Sequence, residues 1–275
     1  MTVFVGPSPR LAVSVAGAGP LVVFLHGIGG NRSHWDDQLA AFAPEFTACA
    51  PDARGYGDSD DYDGPLAFGD LAGDVLRVID HFGAARAHLV GLSLGGRVAR
   101  DFCLRHPDRV ATLVLCNTHA GFDALAPEQV DAFIRSRQGP LAAGKTPREM
   151  APDLARNVLG KSAPAHARER LLASLVGLRK DAYLRTLESS VREDRGAGIE
   201  RIAVPTLVVT GDEDTVYPPA TAEAMARRIP GARLAVIAGA GHVSNLEQPE
   251  AFNEIVLGFL RAHRDRASPP GRVPG

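Results

Sequence analysis

An α/β fold with a doubly wound, mostly parallel sheet is the architecture this sequence predicts, and two observations carry it. Short apolar runs recur along the chain, at Leu21–Leu25, Ala87–Val90, Ala111–Cys116 and Thr206–Thr210. Stretches with helical apolar spacing separate most of them. Strands buried on both faces read as continuous apolar runs, because helices cover a parallel sheet on each side. Strand–helix alternation is the pattern that builds such a sheet.

Taken in order, Leu21-Val-Val-Phe-Leu25 is a strand ending at a His-Gly turn. Leu71, Val75, Val78, Ile79 and Phe82 recur at helical spacing. Ala87-His-Leu-Val90 is the next strand, and Val98 and Phe102 lie on a helix that follows Ser93. Ala111–Cys116 is another strand. From His119 to Glu200 no strand pattern appears, only helix-like pieces punctuated by Pro127, Pro140, Pro147, Pro152 and Pro164. A structureless connection of that length is improbable in a compact domain. Residues 119–200 therefore read as a helical cap inserted into one α/β core made of residues 1–118 and 201–266. Strands at Thr206–Thr210 and Leu234–Ile237 resume the sheet, and Phe252, Ile255, Val256, Phe259 and Leu260 mark a last helix. The Pro- and Gly-rich residues 267–275 read as a flexible tail.

Composition narrows the function. Of 275 residues, 45% are apolar and 23% charged, which suits a globular chain and argues against disorder. Lys plus Arg number 30 and Asp plus Glu 32, so no basic excess exists to neutralise phosphates, and no nucleic-acid partner is expected. No apolar run approaches the roughly 20 residues of a membrane span, and Gly6, Pro7 and Pro9 interrupt the start, where a secretory leader would be apolar. The three cysteines, Cys49, Cys103 and Cys116, are widely spaced, form no metal-ligand pattern and lie in apolar segments. Buried free thiols in a reducing cytoplasm account for them. A monomer and a homodimer are equally compatible with these counts.

The chemistry centres on Gly91-Leu-Ser-Leu-Gly95, which follows a strand and opens a helix. In that context Gly-x-Ser-x-Gly is a nucleophile turn: the serine takes strained backbone angles, and its small neighbours let strand and helix pack closely. Ser93 then projects its hydroxyl at the carboxyl edge of the sheet, beside helix N–H groups that can meet developing negative charge. A serine hydroxyl needs a base at neutral pH. His81, His106, His166 and His263 lie in charged helical surroundings and read as solvent-facing, while His88 sits within a strand. His119 follows the strand ending at Cys116, where the cap begins, so it is placed to line a pocket. His242, in Gly239-Ala-Gly-His242, follows the strand run Leu234–Ile237, in the kind of loop where such sheets bind ligands. The partner that orients the imidazole is expected in Gly211-Asp-Glu-Asp214, where Asp214 best fits a reaching loop and Asp212 and Glu213 remain rivals. The chain order Ser93, acid, His242 matches that of one hydrolase architecture.

Over residues 11–264 the chain resembles the α/β-hydrolase superfamily, through His26-Gly27, Asp52-Ala-Arg-Gly-Tyr-Gly-Asp-Ser59, Gly91-Leu-Ser-Leu-Gly-Gly96, Gly211-Asp-Glu-Asp214 and Gly241-His242. The resemblance implies Asp214 as the acid, since that family carries it last in a Gly-x-x-Asp turn. It also implies an oxyanion hole from the backbone N–H groups of Ile28 and Leu94, with no metal or organic cofactor. His26 and Arg54 then read as braces. Trp35 reads first as core and second as a substrate contact.

Ser93 is not the aspartate of dehalogenases and epoxide hydrolases. The segment Arg109–Thr118, the Asp-Ala-Arg-Gly block and the Leu-Ser-Leu-Gly-Gly turn are similar to those of 3-oxoadipate enol-lactonases, although His26-Gly-Ile-Gly-Gly30 has the broader esterase form. Val243 replaces the tryptophan that many meta-cleavage carbon–carbon hydrolases carry after the histidine, and Ile28 replaces the tryptophan of many perhydrolases. The expected function is hydrolysis of a small carboxylic ester or lactone. Carbon–carbon hydrolysis, cofactor-free perhydrolysis and a silent ligand-binding α/β hydrolase are the alternatives. Residues 119–200 hold 13 Lys plus Arg against 11 Asp plus Glu. Arg135, Arg137, Arg156 and Arg179 are thereby candidates to place a cation over an anionic substrate, and Val243 adjoins the pocket.

Overall fold

The computed structural model describes residues 1–122, 125–194 and 196–267. Among these residues eight strands form one sheet: β1 (Thr2–Val5), β2 (Leu11–Ala16), β3 (Leu21–Leu25), β4 (Thr47–Pro51), β5 (Ala87–Leu92), β6 (Val110–Cys116), β7 (Thr206–Gly211) and β8 (Arg233–Ile237). Their spatial order is β1-β2-β4-β3-β5-β6-β7-β8. The pairings β1–β2 and β2–β4 are antiparallel and all others parallel. The expected α/β class and mostly parallel sheet are therefore met. Strands β1, β2 and β4 lacked a clear sequence signal. Thr47-Ala-Cys-Ala-Pro51 holds small residues of weak strand propensity, and becomes a strand because it lies between β2 and β3.

Among the described residues ten helices connect or flank the strands: α1 (Asp36–Phe42), α2 (Phe68–His81), α3 (Leu94–Arg105), α4 (Pro127–Ala142), α5 (Pro147–Val158), α6 (Ala165–Val176), α7 (Lys180–Arg192), α8 (Pro219–Arg228), α9 (Ser244–Glu247) and α10 (Pro249–Arg261). Side chains alternate across the sheet, as the period of two requires. Leu21, Val23 and Leu25 pack on one face with α2, α3 and α8, while Val22 and Phe24 pack on the other with α1 and α10. Leu113 and Leu115 of β6 join the first face, Val114 and Cys116 the second.

Helices α4–α7 fill the chain between β6 and β7. Their prolines are not all breaks: Pro127 and Pro147 open α4 and α5, where a missing N–H costs nothing. Pro140 and Pro152 lie inside those helices. Helix α5 is fixed at its start by Thr146 and Glu149, whose side chains bond reciprocally to each other's backbone N–H. The four helices are not a separate body. Ala151, Ala155, Ala167, Leu171 and Leu175 share a cluster with Trp35, Phe252 and Leu246. A second group, including Val130, Ile134, Tyr183 and Leu187, packs among the helices themselves. Of the residues expected to form a tail, Ala267 is buried, and 268–275 lie outside the described residues.

Candidate active site

The loops after β3, β5, β7 and β8 meet at the carboxyl edge of the sheet. Between β5 and α3 the chain reverses at Ser93, whose φ of 54° and ψ of −115° are costly for a residue with a Cβ. The turn is possible because Gly91 and Gly95 cross without side chains: a Cβ on Gly91 would strike the Gly95 carbonyl, and one on Gly95 the Leu25 carbonyl. Two further bonds hold the strain in place, Ser93 N–H donating to the Cys116 carbonyl at 2.9 Å and the Thr118 hydroxyl donating to the Ser93 carbonyl at 2.7 Å.

Ser93 Oγ lies 3.0 Å from His242 Nε2, and His242 Nδ1 lies 2.9 Å from Asp214 Oδ2. Asp214 Oδ1 accepts the backbone N–H groups of Val216 at 2.8 Å and Tyr217 at 3.0 Å. Burial alone would raise the Asp214 carboxyl. The hydrogen bond and charge of His242, the Tyr217 N–H and the Asn117 amide together hold it below the ordinary carboxylate range. The rival acids are occupied elsewhere. Asp212 Oδ1 accepts Gly239 N–H at 2.8 Å, and Glu213 Oε2 accepts Lys161 N–H at 2.5 Å.

A cavity of about 540 Å³ opens over Ser93 and His242. Ile28, Leu94 and Val243 line it, as the sequence suggested. The backbone N–H groups of Ile28 and Leu94 have no acceptor among the described residues. Apolar side chains from the helices form the roof, among them Leu154, Leu171, Leu175 and Tyr183. Three expected contacts are not made. Trp35 is fully buried, its ring 5.1 Å from Phe24 and 6.0 Å from Phe252, and it does not border the cavity. His119 stands one layer back, its ring 4.5 Å from Tyr217 and 4.6 Å from Phe122, which screen it from the cavity. Arg135 is exposed and does not border the cavity. Helical spacing places Arg137, not Arg135, on the same face as Val130 and Ile134, and Arg137 borders the opening with its guanidinium over Phe133. Of the other candidate cations, Arg156 borders the cavity, while Arg179 is held outside it by the Gly57 and Ser59 carbonyls. His26 and Arg54 act as braces: Ala53 N–H donates to His26 Nε2 at 3.0 Å, and Arg54 pairs with Asp74 at 2.7 Å.

Several site residues escaped the sequence reading. Asn117 (φ 45°) donates its amide to both Asp214 Oδ2 and the Gly241 carbonyl at 3.0 Å, tying the acid's loop to the histidine's. Buried Glu247 accepts Gly160 N–H at 2.7 Å and Val243 N–H at 3.2 Å, anchoring the loop that carries His242. Burial raises its carboxyl above the ordinary range. His34 borders the cavity with Nε2 2.8 Å from Ser174 Oγ, and burial pushes its pKa to about 3. Arg97 and Tyr217 also line the cavity. A signal existed for two of these: Asn117 is a polar residue directly after a strand, and Arg97 stands four residues after Ser93, one helical turn on.

The sequence matches the α/β-hydrolase fold family over residues 20–249. The chain is an α/β hydrolase. It is 28% identical over 244 residues to 3-oxoadipate enol-lactonase 2 of Acinetobacter baylyi, covering 88% of this chain and 89% of that protein. Among solved structures, a hydrolase from Pseudomonas aeruginosa PA01 superimposes with a TM-score of 0.83 at 34% identity, over 94% of this chain and 98% of the other. The enol-lactonase from Burkholderia xenovorans LB400 does so at 0.80 and 30% identity, over 92% and 96%. Among the described residues no helix is long and apolar enough to cross a membrane, and no group of side chains is arranged to hold a metal ion.

Proposed function

We propose that this α/β hydrolase cleaves a small carboxylic ester or lactone through an acyl-enzyme on Ser93. One observation carries the reading: the hydrogen-bonded relay Ser93–His242–Asp214, with Oγ–Nε2 3.0 Å and Nδ1–Oδ2 2.9 Å, on the floor of a cavity sized for a small molecule. His242 takes the Ser93 proton as Oγ attacks the acyl carbon. Asp214 holds the ring in the right tautomer and stabilises the imidazolium that forms. The oxyanion faces the N–H groups of Ile28 and Leu94, each worth about 10²–10³ in rate where such donors have been removed. His242 then returns the proton to the leaving oxygen, activates a water, and the acid departs.

Residues 1–118 and 201–266 serve as the core in this reading, with 119–200 as an inserted lid. Its site of action is the cytoplasm, in keeping with three buried free thiols at Cys49, Cys103 and Cys116. Likeness to enol-lactonases favours a lactone or activated ester over an amide. The test is turnover of p-nitrophenyl acetate and butyrate by the wild type and Ser93→Ala. The wild type turns both over and the variant does not; equal rates overturn the proposal.

A further inference from the structure

Buried charge in the cavity wall is unevenly matched. Arg97 of α3 is 5% exposed and borders the cavity one helical turn beyond Ser93. Its Nη1 donates to the Ser190 carbonyl at 2.7 Å and lies 3.2 Å from Asp194 Oδ2. That carboxylate is shared, because Asp194 Oδ1 is taken by Arg100, which is also buried. Two guanidiniums thus stand against one carboxylate. Arg97 Nε is buried without a hydrogen-bond partner, and among the described residues Nη2 has none either. The Phe122 ring, 5.0 Å from the guanidinium, and the Phe68 ring, at 5.9 Å, supply part of the missing compensation. Desolvation outweighs the rest and lowers the Arg97 pKa. A buried cation without a counterion of its own is costly, and an anion arriving beside it offsets that cost.

We propose that Arg97 is an anion subsite, and that the ester or lactone cleaved here carries a carboxylate that seats against it; this rests on the serine-hydrolase reading of the same cavity. A planar guanidinium with open donors suits a carboxylate. Arg137, at the rim over Phe133, adds a second positive charge on the approach. The subsite belongs to the floor of the cavity, one turn from the nucleophile, and not to the roof helices where the charge count had pointed.

Two measurements test it separately from the hydrolase reading. The first is calorimetric binding of glutarate to Ser93→Ala protein, which needs no turnover. We expect saturable binding, weakened at least tenfold by adding Arg97→Met. The second is the ratio of kcat/KM for mono-p-nitrophenyl glutarate over p-nitrophenyl pentanoate, and for 4-acetoxybenzoate over p-tolyl acetate. The two pairs place the charge on the acyl and the alcohol side. In one pair the wild type favours the charged ester at least tenfold, and Arg97→Met abolishes the preference mainly through KM. Arg97→Lys retains part of it, and exposed Arg135→Met leaves it unchanged. Arg97→Met leaves Arg100 and Asp194 as a balanced pair. Should it nonetheless fail to fold, Arg97→Gln, which keeps a donor for the Ser190 carbonyl, is read in its place. Glutarate binding that is indifferent to Arg97, or ratios unchanged in either folded variant, overturns the subsite. Arg97-dependent binding without turnover of any ester leaves the subsite standing and removes the hydrolase.

Discussion

The floor and the roof of the cavity are built on different principles. The floor is polar and fixed: Ser93, Asp214 and His242 sit on short connections after β5, β7 and β8, and each is held by named hydrogen bonds. The roof, helices α4–α7, packs mostly through aliphatic and aromatic side chains. Polar links also join it to the rest of the chain, among them Glu247 to Gly160 N–H and Arg170 to Asp37. Ser174 Oγ lies 2.9 Å from the Gly29 carbonyl and 2.8 Å from His34, and His242 N–H donates to the Val158 carbonyl at 2.8 Å. Hydrogen bonds fix direction and reaction demands direction, whereas apolar contact fixes only volume. In the proposed reaction the floor carries the chemistry, and the roof shapes what enters.

Substitutions on the two sides should fail in different ways. The largest effect is expected at Asp214→Asn, which keeps the floor's shape but disfavours the tautomer His242 needs. The kcat for p-nitrophenyl butyrate should fall by about 10⁴, with KM little changed. Asp212→Asn, whose native carboxylate holds only Gly239 N–H, should fall far less, and the reverse ranking would transfer the role to Asp212.

Acid should strike the core side next. Burial pushes His34 and His119 to about 3 and His88 to about 4, below the ordinary 6.5. The native state holds these rings neutral, while the unfolded chain protonates them below about 6.5. The stability they contribute is complete above that pH and is lost as pH falls toward 4. Burial also raises Glu247 and Asp36, which act in the opposite sense, and lowers His26 and His263, which act with the three rings. Urea midpoints at pH 7 and pH 5 should therefore differ markedly, and His34→Gln should flatten the slope by up to one proton. An unchanged midpoint would show that these rings are not held neutral.

Roof changes should be milder. Leu175 is 4% exposed and covers Gly29, so Leu175→Ala should cost about 2 kcal/mol, the low end for a core leucine because an adjoining cavity already exists. Its kinetic signature should be a raised KM with kcat kept within a few fold. The smallest effect is expected at Ser174→Ala, where the links to the Gly29 carbonyl and to His34 disappear at a cost of about 1 kcal/mol. An effect of Ser174→Ala on kcat larger than that of Asp214→Asn would erase the distinction between floor and roof.

The same contrast explains what could be read in the sequence. Ser93, His242 and the Gly211–Asp214 turn were legible because each follows a strand and needs glycines at set offsets, which are local constraints. Asp214 could be separated from Asp212 only by resemblance, because the choice depends on where the loop after β8 brings His242. Asn117 and Glu247 act through backbone groups far away in sequence, so no spacing marks them. Trp35 and His119 show the converse: a residue near a motif can be turned away by its neighbours, here Phe252 on one side and Tyr217 on the other. Arg135 and Arg137 are two residues apart and both exposed, and about 200° of helical rotation decides which of them borders the cavity. In the sheet, β3, β5, β6 and β7 announced themselves by continuous apolar runs, whereas β1, β2 and β4 did not, β4 because its residues, though buried, are mostly small.

The most direct test of the central claim is capture of the acyl-enzyme. Wild-type protein mixed with excess p-nitrophenyl butyrate, quenched with acid and digested, should yield a peptide containing Ser93 that is heavier by one butyryl group. Ser93→Ala should yield no butyryl adduct and no nitrophenolate above the uncatalysed rate. Turnover that leaves Ser93 unmodified in every quenched sample, or an adduct that persists elsewhere in Ser93→Ala with activity retained, would contradict the account.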